Sequence, residues 1–191
     1  MSGHHDASAL LERRFNLPDE AATCALGARF AHALDLSAQA GLQVHLLGDL
    51  GAGKTTLVRA ILRALGHASR VRSPTYTLVE PYHVVTAHGA LHLYHFDLYR
   101  FNDPAEWADA GFRDYFDGNA VCLVEWPQRA QALLGAPDLE FTLEVCNDNG
   151  NGNGDGDGDG SDNGNEYREN HGRILTARAY SHSGKTCLEK C

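Results

Sequence analysis

The chain has 191 residues, with 25 acidic side chains against 16 lysines and arginines, a formal charge of −9 at pH 7 and five cysteines. That length suits one α/β domain with a sizeable core, and the acidic balance argues against a protein that grips a nucleic-acid backbone unaided. No apolar stretch reaches membrane length, the first twenty residues lack a signal-peptide run, and the cysteines have neither metal-type nor redox-type spacing, so a reduced, cytoplasmic protein is expected.

The acidity is local. Asn147 to Glu166 contains six acids and no lysine or arginine, which leaves the rest of the chain near balance. This stretch is almost wholly Asn, Gly, Asp and Ser, buries nothing, and reads as a disordered insertion at 147–166. Residues 1–9 read as a disordered start. Between them, 10–146 is expected to form the main domain, and 167–191 one strand and a tail.

In chain order, Glu12 to Leu17 reads as a short strand. Pro18 suits the first turn of a helix, with Asp19 and Glu20 set against its dipole. Ala22, Leu26, Phe30 and Leu34 recur every four residues and mark its buried stripe. Leu42 to Leu47 reads as a buried strand. The next helix, Thr56 to Leu65, buries Leu57, Val58, Ile61, Leu62 and Leu65 and stops at Gly66. Arg59 and Arg63 on it read as a solvated face.

Pro74 holds Ser73 extended and forbids helix there. Leu78 to Val85 and Leu91 to Phe96 form an expected hairpin around His88-Gly89. A helix is expected from Pro104 to about Asp109. Ala120 to Val124 is a continuous apolar run, as in a strand covered on both faces, with Cys122 as a core residue. A short helix around Gln128 to Leu134 and a strand over Leu139 to Val145 follow. His92 and His95, three apart in a strand, face opposite ways and do not suit shared metal ligation. Ser183-Gly184-Lys185-Thr186 imitates the end of a phosphate loop but lacks the first glycine.

The chemistry centres on Gly48-Asp49-Leu50-Gly51-Ala52-Gly53-Lys54-Thr55, which fits Gly, four residues, Gly, Lys, Ser or Thr. It lies between the expected buried strand and an amphipathic helix, the context the motif needs. Curled glycine backbone and the positive helix end hold a polyphosphate; Lys54 reaches the β and γ phosphates, and the Thr55 hydroxyl completes a Mg²⁺ shell. Such a loop needs an acid from another strand end. Asp97 and Glu125 both qualify. Glu125, ending the more apolar strand, is favoured on the metal side, and Asp97 can orient water or hold a switch loop. Ser73, Thr75 and Thr77 offer hydroxyls for a γ-phosphate-sensing switch. Trp126 reads as a packing residue or as a nucleotide or partner contact. The expected class is therefore an α/β P-loop NTPase with a mainly parallel central sheet, an added β-hairpin and flanking helices.

Five linked motifs carry a more specific resemblance: Gly48 to Thr56; Ser73 to Tyr82; Tyr94-His95-Phe96-Asp97-Leu98-Tyr99-Arg100; Glu106, Gly111, Asp114 and Tyr115; and Cys122-Leu123-Val124-Glu125-Trp126-Pro127. Over roughly Phe15 to Val145 the chain resembles the TsaE (YjeE) family, the small bacterial ATPases needed to make threonylcarbamoyladenosine in tRNA. The resemblance implies an ATP- and Mg²⁺-dependent ATPase that acts with the TsaD and TsaB proteins, meets tRNA through that complex, and uses hydrolysis to reset it. It also implies phosphate and Mg²⁺ contacts from Lys54, Thr55 and Thr56, an essential acid at Asp97, a Mg²⁺ ligand at Glu125 beside Trp126, and a nucleotide-sensitive loop from Ser73 to Thr77. The insertion and the Cys-ended terminus depart from the family pattern. Two other readings share the loop: a small-molecule or nucleotide kinase, although no arginine-rich lid is evident, and an ATP-gated interaction module with negligible turnover. A GTPase is disfavoured, since no Asn-Lys-x-Asp signature occurs.

Overall fold

A computed structural model describes residues 8–37, 41–74, 76–103, 107, 111–116, 119–130, 133–146 and 172–191. The first seven residues, most of the expected 104–109 helix and all of the expected 147–166 insertion lie outside the described residues.

Seven strands form one sheet: β1 (Leu11–Leu17), β2 (Leu42–Leu47), β3 (Val79–Thr86), β4 (Gly89–Asp97), β5 (Val121–Glu125), β6 (Leu139–Val145) and β7 (Arg173–Ala179), in the order β1-β7-β6-β2-β5-β4-β3. The centre is parallel, β2 pairing with β5 and β6, and β5 with β4. The margins are antiparallel, through the β3–β4 hairpin on one side and β1–β7–β6 on the other. Every residue of β5 is buried, as its unbroken apolar run requires of a strand covered on both faces.

Helices α1 (Glu20–Ser37), α2 (Lys54–Ala64) and α3 (His182–Lys190) contribute Leu26, Phe30, Leu34, Leu57, Ile61, Leu62, Cys187 and Leu188 to one core, together with Val44, Leu46, Leu93, Val121 and Leu123 of the strands. A second, aromatic core holds Phe96, Phe101, Trp107, Phe112, Cys122 and Val124. Strand alternation explains the division: odd positions of β4 and β5 face the helices and even positions the aromatic layer. Burial pushes the Cys122 thiol up to about 12, which keeps it a protonated core residue.

Three local expectations change. Asp19 accepts the Ala22 amide at 2.7 Å and caps α1, so Pro18 precedes the cap instead of opening the first turn. Where the expected helix from Gln128 to Leu134 would begin, Pro127–Arg129 form a 3-10 turn, while 131 and 132 lie outside the described residues. The C-terminal segment contains the expected strand, β7, which sits between β1 and β6, but the residues after it form α3 and not a tail, capped by Ser181 Oγ accepting the Gly184 amide at 3.0 Å. The phosphate-loop imitation at 183–186 is the first turn of this helix, where Gly184 is required because a Cβ would collide with the Asp138 carbonyl. Among the described residues no helix is long and apolar enough to cross a membrane.

Gly27 lets α1 approach α2: a Cβ there would lie 2.6 Å from Ala60 Cβ and 3.2 Å from the Ile61 nitrogen. Gly27→Val should cost about 1–3 kcal/mol in chemical unfolding, with Ala60→Gly recovering part of the loss. Unaltered stability would show that the helices can separate freely.

His45, on β2, is buried and accepts from Gln43 Nε2 at 2.7 Å. Burial pushes its imidazole down to about 4, against an opposing pull from Asp138. Unfolded chains take up a proton below about 6.5 whereas the folded ring stays neutral until about 4, so acidification through that window favours unfolding. At pH 5 this amounts to about 2 kcal/mol. Comparing urea unfolding of wild type and His45→Gln at pH 7 and pH 5 should show a shallower pH dependence in the variant; parallel profiles would remove His45 from the effect.

Candidate active site

The loop from Gly48 to Gly53 joins the end of β2 to α2. Gly48, Gly51 and Gly53 all have positive φ, at 135°, 81° and 103°, backbone that glycine adopts without a Cβ penalty. Gly48 is further required because a Cβ would collide with the Leu143 carbonyl of β6. The first amides of α2 have no partner within their own helix and carry its positive dipole end, the usual basis of anion binding.

Lys54 opens α2 and is 4% exposed. Its Nζ donates to the carbonyls of Gly48 and Asp49 at 2.6 and 2.8 Å and lies 4.0 Å from the centre of the Trp126 ring. Burial lowers its pKa, and Glu125, Asp97 and Asp49 oppose that shift.

Asp97 ends β4 and Glu125 ends β5, and the two are direct partners in the parallel register. Both carboxylates are buried, and their odd positions turn them toward the side of the sheet that α2 covers. Their partners differ. Thr55 Oγ1 lies 2.9 and 3.0 Å from the two Glu125 oxygens. Asp97 accepts from Ser73 Oγ at 2.6 Å and from the Tyr99 amide at 3.1 Å. One acid is thereby joined to the phosphate loop and the other to the segment after α2.

These groups line one cleft of about 380 Å³, which also includes Gly51, Gly53, Thr56, Tyr99, Arg100 and Trp126. Trp126 adopts a left-handed backbone, φ 59°, immediately after Glu125, and packs on Tyr99 with ring centres 5.0 Å apart. Strained backbone of this kind costs on the order of 1–3 kcal/mol and recurs at functional sites. Of the expected switch hydroxyls, Ser73 is in the cleft, Thr77 is exposed and is not among the lining residues, and Thr75 lies outside the described residues.

The oxygen donors suit a hard cation. Thr55 offers a hydroxyl and Glu125 a carboxylate within 3 Å of each other, and no group of three His, Cys, Asp or Glu side chains able to cage a metal occurs among the described residues. Mg²⁺ is typically held in this way, by one or two protein oxygens with water and substrate phosphates.

His95 and Arg173 are among the neighbours to which the sequence assigns no role. His95 is 1% exposed and its Nε2 lies 2.8 Å from Glu125 Oε1. Spacing had addressed only its pairing with His92; the contact with Glu125 arises from the β4–β5 register. Arg173, the first residue of β7, lies against the loop, since a Cβ on Gly53 would come within 3.3 Å of its Nε. No local signal links residue 173 to residue 53.

A glycine loop between a central parallel strand and its following helix, with acids at the ends of neighbouring strands, places the chain among the α/β P-loop NTPases. A family model described as Threonylcarbamoyl adenosine biosynthesis protein TsaE matches residues 17–152. The tRNA threonylcarbamoyladenosine biosynthesis protein TsaE of Haemophilus influenzae is 44% identical over 133 residues, 69% of this chain and 82% of that one. Its Synechocystis namesake is 40% identical over 123 residues, 62% and 73% of the two chains. The crystal structure of Bacillus subtilis YdiB aligns with a TM-score of 0.60 at 25% identity, covering 94% of this chain and 93% of that one. The chain belongs to the TsaE family of threonylcarbamoyladenosine biosynthesis.

Proposed function

We propose that this protein binds and hydrolyses MgATP as a subunit of the assembly that makes threonylcarbamoyladenosine in tRNA, acting in the cytoplasm with TsaD and TsaB and meeting tRNA through them. The observation that carries the reading is the contact between Thr55 and Glu125, which links the phosphate loop to a strand-end carboxylate 70 residues away.

In this reading the amides of residues 48–56 cradle the polyphosphate and Lys54 gives up its carbonyl contacts for β and γ phosphate oxygens. Thr55 and Glu125 hold Mg²⁺, which neutralises charge on the phosphates when bound. Asp97 places the attacking water and, through Ser73, ties the segment after α2 to the state of the γ phosphate. Trp126 shields Lys54 from solvent on one side and is placed to contact nucleotide or partner. The 10–146 segment with β7 and α3 forms the ATPase domain; 147–166 is an insertion on the β6–β7 hairpin, whose stem is closed by the Val145–Arg173 pair and by the Cys146 amide donating to the Gly172 carbonyl at 2.8 Å.

Incubation with ATP, Mg²⁺ and candidate small-molecule acceptors separates the main reading from a kinase. Release of free phosphate without acceptor labelling is expected. A phosphorylated acceptor would replace the ATPase reading with a kinase.

A further inference from the structure

Glu125 is held from two sides, and only one of them belongs to the phosphate loop. On one side Thr55 reaches both carboxylate oxygens. On the other, His95 Nε2 lies 2.8 Å from Oε1, with the two side chains 1% and 3% exposed. A carboxylate oxygen only accepts, so the contact is an Nε2–H donating to Glu125. His95 Nδ1 is buried and has no hydrogen-bond partner among the described residues, so the contact with Glu125 is what accounts for a histidine at this position. Strand geometry makes the pairing specific. His95 sits two residues before Asp97 on the same face of β4, opposite Leu123 of β5, and so points toward Glu125 on the neighbouring strand.

We infer that His95 is a positioning residue for the metal side of the site: it fixes the Glu125 carboxylate, which in turn orients the Thr55 hydroxyl. This role rests on the proposal that Thr55 and Glu125 hold Mg²⁺. Without the imidazole the Glu125 carboxylate is free to rotate about its last side-chain bond, and both oxygens cannot be kept on Thr55. Partners of this kind, one step removed from the ion, commonly change metal affinity by about 10- to 100-fold.

The test uses the full chain with three substitutions. His95→Leu keeps bulk without a donor, His95→Asn carries an amide too short to reach Glu125, and His95→Gln places an amide nitrogen near the position of Nε2. Trp126, 4.0 Å from the Lys54 ammonium, serves as the fluorescent reporter in Mg²⁺ titrations at fixed ADP. The Mg²⁺ midpoint should rise by about 10- to 100-fold in His95→Leu and His95→Asn and stay within about threefold of wild type in His95→Gln. ADP affinity in EDTA should be the same in all four proteins. A purely structural histidine would lower the melting temperature without moving the Mg²⁺ midpoint. Wild-type midpoints in the leucine and asparagine variants, or a glutamine variant impaired as much as they are, would overturn the role. Wild-type ADP binding that ignores Mg²⁺ would overturn both this role and the Mg²⁺ assignment beneath it, which separates the two failures.

Discussion

Lys54→Ala should leave a folded protein whose ATP turnover is reduced by about 100-fold or more. The side chain is almost fully buried, but its amino group is held by two loop carbonyls and an aromatic face and is not an element of the core. Its removal therefore takes little from packing and deletes a flexible cation next to the phosphate position. That cation matters most as charge shifts during phosphoryl transfer, so turnover should fall further than nucleotide affinity. Phosphate release and nucleotide binding measured on the same preparation check this; turnover equal to wild type would remove Lys54 from the site.

Replacing the two carboxylates should impair turnover in different ways. Glu125→Gln preserves shape and the capacity to accept from Thr55 but removes the negative charge, so the Mg²⁺ requirement should rise and turnover fall by roughly 10- to 100-fold. Asp97→Asn leaves the Thr55–Glu125 contact in place and disturbs the Ser73 and Tyr99 contacts instead. Its turnover should fall by a similar or larger factor with the Mg²⁺ midpoint unchanged. Steady-state assays across Mg²⁺ concentrations separate the two. If only one substitution affects turnover, the two-acid account is wrong.

The parts of the site set by local chemistry were legible in the sequence. A loop with glycines at 48, 51 and 53 between an apolar strand and an amphipathic helix has few other uses, and an apolar run ending in an acid marks both Val121–Glu125 and the end of β4. Pairing between distant segments was less visible. Sequence favours Glu125 on the metal side without deciding which acid is the direct ligand; the Thr55 contact supports the same choice, because β5 is the immediate neighbour of the loop strand β2. Spacing relates His95 only to His92, since a partner on an adjacent strand depends on register. The closing helix α3 was missed for a related reason. Its nine residues include Gly184, Ser183 and Thr186, a weak local helix signal, and it is stabilised by burying Cys187 and Leu188 in the core shared with α1.

The central claim is that hydrolysis at Lys54 serves a partner assembly. It is tested most directly by Mg²⁺-dependent phosphate release from ATP with the full chain alone, with TsaD plus TsaB, and with the Lys54→Ala variant plus both partners. Slow release by the chain alone, a clear increase with both partners and loss of that increase in the variant are predicted. Release that TsaD and TsaB leave unchanged, or that persists in the variant, would contradict it.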